Sequence, residues 1–242
     1  MIEGIGPKKA KALIKYCGSA KAVFAEKSSI LKKIPDIGTA AIAALNNKEV
    51  FHKAEKELDF IEKNDIEVFY YEHDNFPRRL LHCSDHPIIL YGNGNINANP
   101  DKVIGIVGTR KATPYGKEVT QHIVESLASL DVLVCSGLAY GIDAQAHKSC
   151  IEKNVSTVGV VAHGLDRIYP KQHTQLARSM GANGGVLTEF VTDTNRIFDY
   201  GSYLAKDQIY YIMRFADVSI FDNGKSSIRR SLFDLKNYFL GH

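Results

Sequence analysis

Apolar and polar positions change rhythm along the chain. Up to about residue 60 the apolar residues recur at helical spacing, as at Ala10, Leu13 and Ile14 and again at Leu58 and Ile61, among Ala and Lys residues that favour helix. From Glu67 the apolar runs become short and rich in Val, Phe and Tyr, first over Glu67–Tyr71 and then over Pro87–Tyr91, which Gly92-Asn93-Gly94 closes. The polar stretch Gly92–Pro100 reads as a hinge. Beyond it, strands are expected at Val103–Val107, Val132–Cys135, Thr157–Val161 and Val186–Thr188, with helices near Gly116–Leu130, Asp143–Glu152 and His173–Met180. Strands that are apolar throughout and alternate with helices predict a parallel sheet covered on both faces. The expected fold class is α/β, a doubly wound, mostly parallel sheet over residues 66–242, preceded by a small all-helical domain over residues 1–65.

Two turns punctuate the helical part, Ile2-Glu3-Gly4-Ile5-Gly6 and Ile34-Pro35-Asp36-Ile37-Gly38. Each runs into a helix and has the look of a helix-hairpin-helix turn, whose glycines let backbone N–H groups face a phosphate while Lys8, Lys9 and Lys11 neutralise it. The competing reading is a packing module that touches no nucleic acid. It is favoured because the chain starts at the first turn, with no helix ahead of it.

Composition narrows the class. The 242 residues are 45% hydrophobic, enough for a substantial core and too apolar for disorder. A net charge of +3 settles no partner by itself. No apolar stretch approaches the roughly 20 residues that span a bilayer, and the opening residues do not form a signal peptide, so a cytoplasmic protein without a membrane partner is expected. Cys17, Cys83, Cys135 and Cys150 form no C-x-x-C pair and no H-E-x-x-H occurs, so reduced structural thiols, no metal site and no cofactor are expected.

Ligands of doubly wound sheets bind at the carboxyl ends of the strands. The first such loop carries Gly108-Thr109-Arg110. The second runs Ser136-Gly137-Leu138-Ala139-Tyr140-Gly141-Ile142-Asp143, and both open helices. Backbone N–H groups at two adjacent helix starts, with the Arg110 guanidinium, suit an anion. The third loop, His163–Lys171, adds Arg167, Lys171 and Tyr169. A dinucleotide is disfavoured because Gly105–Arg110 lacks G-x-G-x-x-G, and Asn223-Gly224-Lys225-Ser226 lacks the first glycine of a P-loop. A Ser136–Asp143–His147 triad is disfavoured because Val134 stands where a nucleophile elbow needs glycine. Asp143 reads instead as a helix-capping carboxylate and His147 as a packed residue.

These residues carry a family likeness. Ile106–Arg110, Ser136–His147, Gly164–Pro170 and Gly185–Glu189 together resemble the DNA-processing protein DprA/Smf family. Phe76-Pro77-Arg78-Arg79-Leu80 and His86–Gly92 resemble the entry to its Rossmann-like domain, and the two hairpin turns resemble its N-terminal helix-hairpin-helix, SAM-like unit. The resemblance covers residues 2 to about 198. It implies a cytoplasmic, non-enzymatic protein that binds and protects incoming single-stranded DNA in natural transformation and helps RecA recombinase load onto it, with a homodimer as a further possibility. The implied nucleic-acid-binding residues are Gly108, Thr109, Arg110, Ser136, Gly137, Gly141, Arg167, Lys171 and Arg196, with Tyr140 or Tyr169 available for stacking. Past Glu189 the sequence departs from the family pattern. Asn195-Arg196-Ile197 stands as a remnant of its Arg-Asn-Arg segment, and Ala216–Phe221 faintly echoes the next strand, as in a truncated or rearranged copy. Two alternatives stay open: an enzyme acting on a nucleotide-derived small molecule, with Glu189 as its carboxylate, and an interaction protein that has lost DNA binding.

Overall fold

The computed structural model describes residues 2–193 and 218–222. The first part is helical: α1 (Pro7–Cys17), α2 (Ala20–Ala25), α3 (Ser28–Leu31), α4 (Thr39–Leu45) and α5 (Glu49–Lys63). Pro7 sits in the first turn of α1, and Gly18 closes it with a left-handed φ of 90°, a conformation that suits glycine. Ser19 caps α2 by accepting the Ala22 N–H at 3.1 Å. Leu13, Val23, Leu31, Ile34, Ile37, Ile42 and Leu45 form a core of their own among these helices. Both Gly turns lead into a helix as expected, the first into α1 and the second into α4.

The remaining elements are β1 (Glu67–Tyr70), β2 (Ile89–Gly94), β3 (Val103–Gly108), α6 (Pro114–Leu127), β4 (Leu133–Ser136), α7 (Ile142–Glu152), β5 (Ser156–Val160), α8 (Thr174–Met180), β6 (Gly184–Thr188) and β7 (Val218–Asp222). They form one sheet in the order β1-β2-β6-β5-β4-β3-β7. β2 pairs antiparallel with β1 and β6, and the strands from β6 to β7 are parallel. Strand order reverses at β3, with β4, β5 and β6 laid to one side and β7 to the other. That reversal makes the sheet doubly wound and Rossmann-like, and it sets the switch point beside Gly108.

The alternation of side chains splits the core in two. Ile104, Ile106, Val132 and Val134 pack under Ile123, Val124 and Leu127 of α6 and Ile142, Ala146 and Cys150 of α7. Val161 and Val186 meet Ala177 and Met180 of α8. On the opposite face Val103, Leu133, Val158 and Leu187 are covered by Phe69, Phe76, Leu80 and Ile96. Among the described residues α6, α7 and α8 therefore cover one face, and the connector between β1 and β3 covers the other. Cys83, Cys135 and Cys150 are buried, Cys17 is half-buried, and all four are free thiols.

The expected hinge at Gly92–Pro100 is braced instead. β2 runs through Gly94 and pairs with β6. The Arg79 guanidinium donates to the Pro100 and Asp101 carbonyls at 2.9 and 2.8 Å, and the Asn99 amide donates to the Phe76 carbonyl at 2.9 Å. Composition alone suggested flexibility, whereas side-chain donors tie this stretch to the connector. Phe76 is fully buried beneath it. Phe76→Ala should lower the unfolding free energy by about 3–5 kcal/mol in urea denaturation, because the ring's transfer energy and a cavity are both lost.

Candidate functional site

The loops that follow β3, β4 and β5 meet along the carboxyl edge of the sheet. Gly141 begins α7 at φ 84°, and a Cβ there would collide with the Thr109 carbonyl oxygen. The Ile142 N–H donates to that same carbonyl at 3.2 Å, so the first loop caps α7. A Cβ on Gly108 would lie 2.6 Å from the Ile142 side chain. These two glycines are required by close approach of the loops.

Asp143 locks the junction. Its carboxylate accepts the Gly108 N–H at 3.3 Å and the N–H groups of Gly137 and Ala139 as well. Burial pushes its pKa up to about 6, against the opposing pull of those N–H groups and of the Arg110 charge. The backbone donors expected to cradle an external anion are thus turned inward at Gly108 and Gly137, onto the protein's own carboxylate. Ser136 is likewise withdrawn: fully buried, its hydroxyl donates to the Ile106 carbonyl at 2.6 Å. At these three positions the polar groups are engaged within the protein and shape the loops.

The second loop is bound to the turn that follows the third and precedes α8. His173 Nδ1 donates to the Leu138 carbonyl at 2.7 Å, and the Tyr140 hydroxyl donates to Gln172 Oε1 at 2.7 Å. The Tyr140 ring stands edge-on to His173 with centroids 5.1 Å apart, and it remains exposed. Within the third loop His163 staples both ends, donating from Nδ1 to the Gly164 carbonyl at 2.9 Å and accepting the Tyr169 N–H at Nε2 at 3.2 Å. Burial lowers the pKa of His163, in keeping with a neutral ring that donates at one nitrogen and accepts at the other.

Thr109, Arg110, Gly141, Arg167 and Lys171 therefore lie on one connected edge. Arg110 and Lys171 are exposed. Arg167 is answered by its neighbour, with Nε and Nη2 at 3.0 and 2.9 Å from Asp166 Oδ2, so its charge is partly compensated. Arg196 lies outside the described residues. Tyr169 is half-buried and Tyr140 exposed, which favours Tyr140 as a stacking surface. Exposed Lys111 and Tyr115 flank the first loop and belong to no motif; their signal was an extra cation beside Arg110 and an aromatic just inside the start of α6. Thr109 Oγ1 accepts the Lys111 N–H at 3.2 Å, which orders this turn.

Two further groups of polar side chains are bonded within the protein. Of the hairpin lysines, Lys9 donates to the Gly4 carbonyl at 3.0 Å and Lys11 to the Ser84 carbonyl at 2.8 Å. Lys11 thus joins α1 to the connector. Asp143 and His147 form no pair: His147 Nδ1 donates to Thr157 Oγ1 at 2.7 Å, which donates onward to the Val134 carbonyl at 3.0 Å. His147 Nε2 is buried without a partner, and burial pushes this ring's pKa down to about 3. His147 is a packed residue, as its spacing suggested, whereas Asp143 ties two loops together and does not cap α7 as expected.

Comparison with known proteins places this geometry among relatives. A family model described as DNA recombination-mediator protein A matches residues 67–199. Protein Smf of Synechocystis sp. is 28% identical over 216 residues, covering 86% of this chain and 53% of that protein. DNA processing protein DprA of Bacillus subtilis is 31% identical over 169 residues, covering 69% of this chain and 57% of that one. The chain thus spans about half the length of these curated relatives. Among solved structures, DNA processing protein A of Streptococcus pneumoniae superposes with a TM-score of 0.65 at 18% identity, over 98% of this chain and 80% of that one. The Helicobacter pylori DNA processing protein A, solved for its single-stranded DNA binding mode, gives 0.56 at 24% identity over 72% and 77%. At these identities the superpositions speak to the fold.

Asp143 and His147 pull acid stability in opposite directions. The native Asp143 carboxyl takes a proton near pH 6 and the unfolded one near 3.8, so acidification through that window favours the native chain. The unfolded His147 ring takes a proton near pH 6.5 and the native ring only near 3, so acidification there favours unfolding. Asp143→Asn leaves the second effect alone. Its urea midpoint should fall more steeply than that of the wild type as pH drops from 6 to 3.8, and parallel slopes would show that the carboxyl titrates normally.

Proposed function

Because the chain belongs to the DNA recombination-mediator protein A family, whose curated relatives carry the names DprA and Smf, we propose that its carboxyl strand edge binds single-stranded DNA. The observation that carries this reading is the braced junction of three loops with Arg110, Lys111 and Lys171 exposed along it. Side-chain cations, rather than backbone N–H groups, hold the phosphates. Arg110 supplies forked, charge-assisted bonds, Lys171 and Arg167 extend the track, and Thr109 and Gly141 set its floor. Tyr140 offers a ring on which a base stacks, a contact that tolerates any sequence.

The role is non-catalytic and belongs to DNA processing in the cytoplasm. The finer steps are protection of an incoming strand during natural transformation and assistance to RecA loading, with a homodimer as the working form. No helix among the described residues is long and apolar enough to cross a membrane.

Fluorescence anisotropy with a labelled oligo-dT tests the reading. Wild-type affinity should fall with salt, by a log–log slope of about 0.7 per phosphate neutralised. Arg110→Ala should weaken binding roughly 10- to 100-fold, the worth of a charge-assisted contact, and flatten that slope by about one phosphate. Equal affinity in both proteins, or no binding by the wild type at low salt, would overturn it.

A further inference from the structure

Helix α5 buries a glutamate. Glu57 is 5% exposed, and it is the buried residue of this 15-residue helix, whose apolar Phe51 and Leu58 stay exposed. A carboxylate withdrawn from water costs free energy unless its oxygens find donors. Glu57 finds both of its donors on one residue far along the chain. Its Oε2 accepts the Thr192 N–H at 2.9 Å and the Thr192 hydroxyl at 2.6 Å. Thr192 follows β6, on the same carboxyl edge as the candidate site. Tyr91 of β2 lies close enough that the Glu57 charge adds to burial in raising its phenol to about 12.

The segment held by Glu57 is pressed on the base of the third loop. A Cβ on Gly164 would sit 2.5 Å from the Val191 carbonyl oxygen and 2.9 Å from Thr192 Cα, so glycine is what permits this contact. Gly164 in turn begins the turn that His163 staples from the Gly164 carbonyl to the Tyr169 N–H, and Arg167 lies between those points. Lys171 follows directly. A continuous path of hydrogen bond, backbone contact and staple thus runs from α5 to the two cations of the third loop.

We propose that Glu57 is a positioning residue for DNA binding: through Thr192 and Gly164 it fixes the loop that carries Arg167 and Lys171. This rests on the reading of that edge as a single-stranded DNA site. Glu57 itself touches no ligand. It gives the helical part, read from the sequence as a packing module, a defined task, holding the rim of the site from behind.

The test uses the full chain with Glu57→Ala, Glu57→Gln and Thr192→Val. Gln keeps an oxygen that accepts both Thr192 donors, and Val removes the hydroxyl while leaving the N–H bond. Amide hydrogen exchange without DNA should be at least about tenfold faster over residues 163–169 in Glu57→Ala, while the amides of β4 and β5 keep wild-type protection. Oligo-dT affinity should fall about three- to tenfold, the range expected for a lost buried hydrogen bond. Glu57→Gln should restore both readouts, and Thr192→Val should show a smaller change in each. Unchanged exchange over 163–169, faster exchange that spreads equally to β4 and β5, or local loosening without loss of affinity would each overturn the proposal. If Glu57→Ala does not fold, Thr192→Val decides on the same two readouts. A wild type that fails to bind oligo-dT would overturn the DNA-binding reading, while the exchange pattern would still decide whether the latch holds the loop.

Discussion

Burying a carboxylate is costly unless its oxygens are met by donors, and at Asp143 the donors are backbone N–H groups drawn from two different loops. One side chain thereby sets the separation of the β3 and β4 loops. Gly108 and Gly141 follow from that separation, since a side chain at either would strike the neighbouring loop. The same bonds decide the chemistry of the edge. N–H groups spent on an internal carboxylate are less available to an external anion, and this holds for those of Gly108, Gly137 and Ala139. Exposed cations, Arg110, Lys111 and Lys171 with Arg167 beside Asp166, also line this edge.

Bracing recurs outward from that point. The β4 loop is fastened to the turn before α8 by His173 and Tyr140, the β5 loop is stapled by His163, and the segment after β6 lies on Gly164 while held by Glu57. Most of these fastenings join a side chain or a glycine to backbone, while Tyr140 meets the Gln172 side chain. A single strand of nucleic acid loses much conformational freedom when it binds, so a rim ordered beforehand limits the further entropy that the protein side gives up. The helical part contributes to that order through α5 and, by Lys11, through α1 to the connector.

How much of this was legible in the sequence follows from the range of each interaction. Apolar runs and Gly-bearing loops report local backbone state, so the strands and α6 to α8 stand within a few residues of where periodicity set them. The start of α6 was signalled by Thr113-Pro114, a cap followed by a first-turn proline, which periodicity alone missed by two residues. The packing of His147 was also legible, because i, i+4 spacing is local; the capping role read for Asp143 was not, since Gly141 caps α7 without a side-chain bond and the carboxylate is spent on N–H groups of the two preceding loops. Nor were long-range partners. Nothing near Lys11 points to the Ser84 carbonyl, and nothing near Glu57 points to Thr192, 135 residues away. The direction of a glycine N–H is equally hidden: Gly108 and Gly137 read the same whether they face a phosphate or Asp143. Gly92–Pro100 misled for a related reason, since its composition is that of a free linker while its bracing comes from Arg79.

On the proposed reading, the balance of forces at the edge also constrains how a strand is held. Arg167 is compensated by Asp166 and Arg110 stands over the buried charge of Asp143, so the net positive field is smaller than a count of cations suggests. Screening over about 8–10 Å at physiological ionic strength weakens it further for phosphates that do not touch the surface. Electrostatics then serves mainly to bring a strand in, and short-range contacts must retain it. Exposed Tyr140, pinned through its hydroxyl to Gln172, meets that need: its ring is fixed without its face being covered by that bond. A duplex keeps its bases stacked on one another and offers no free face to such a ring, whereas a single strand does. Preference for single strands thus arises from a braced aromatic beside a modest basic track, without any base-specific hydrogen bond.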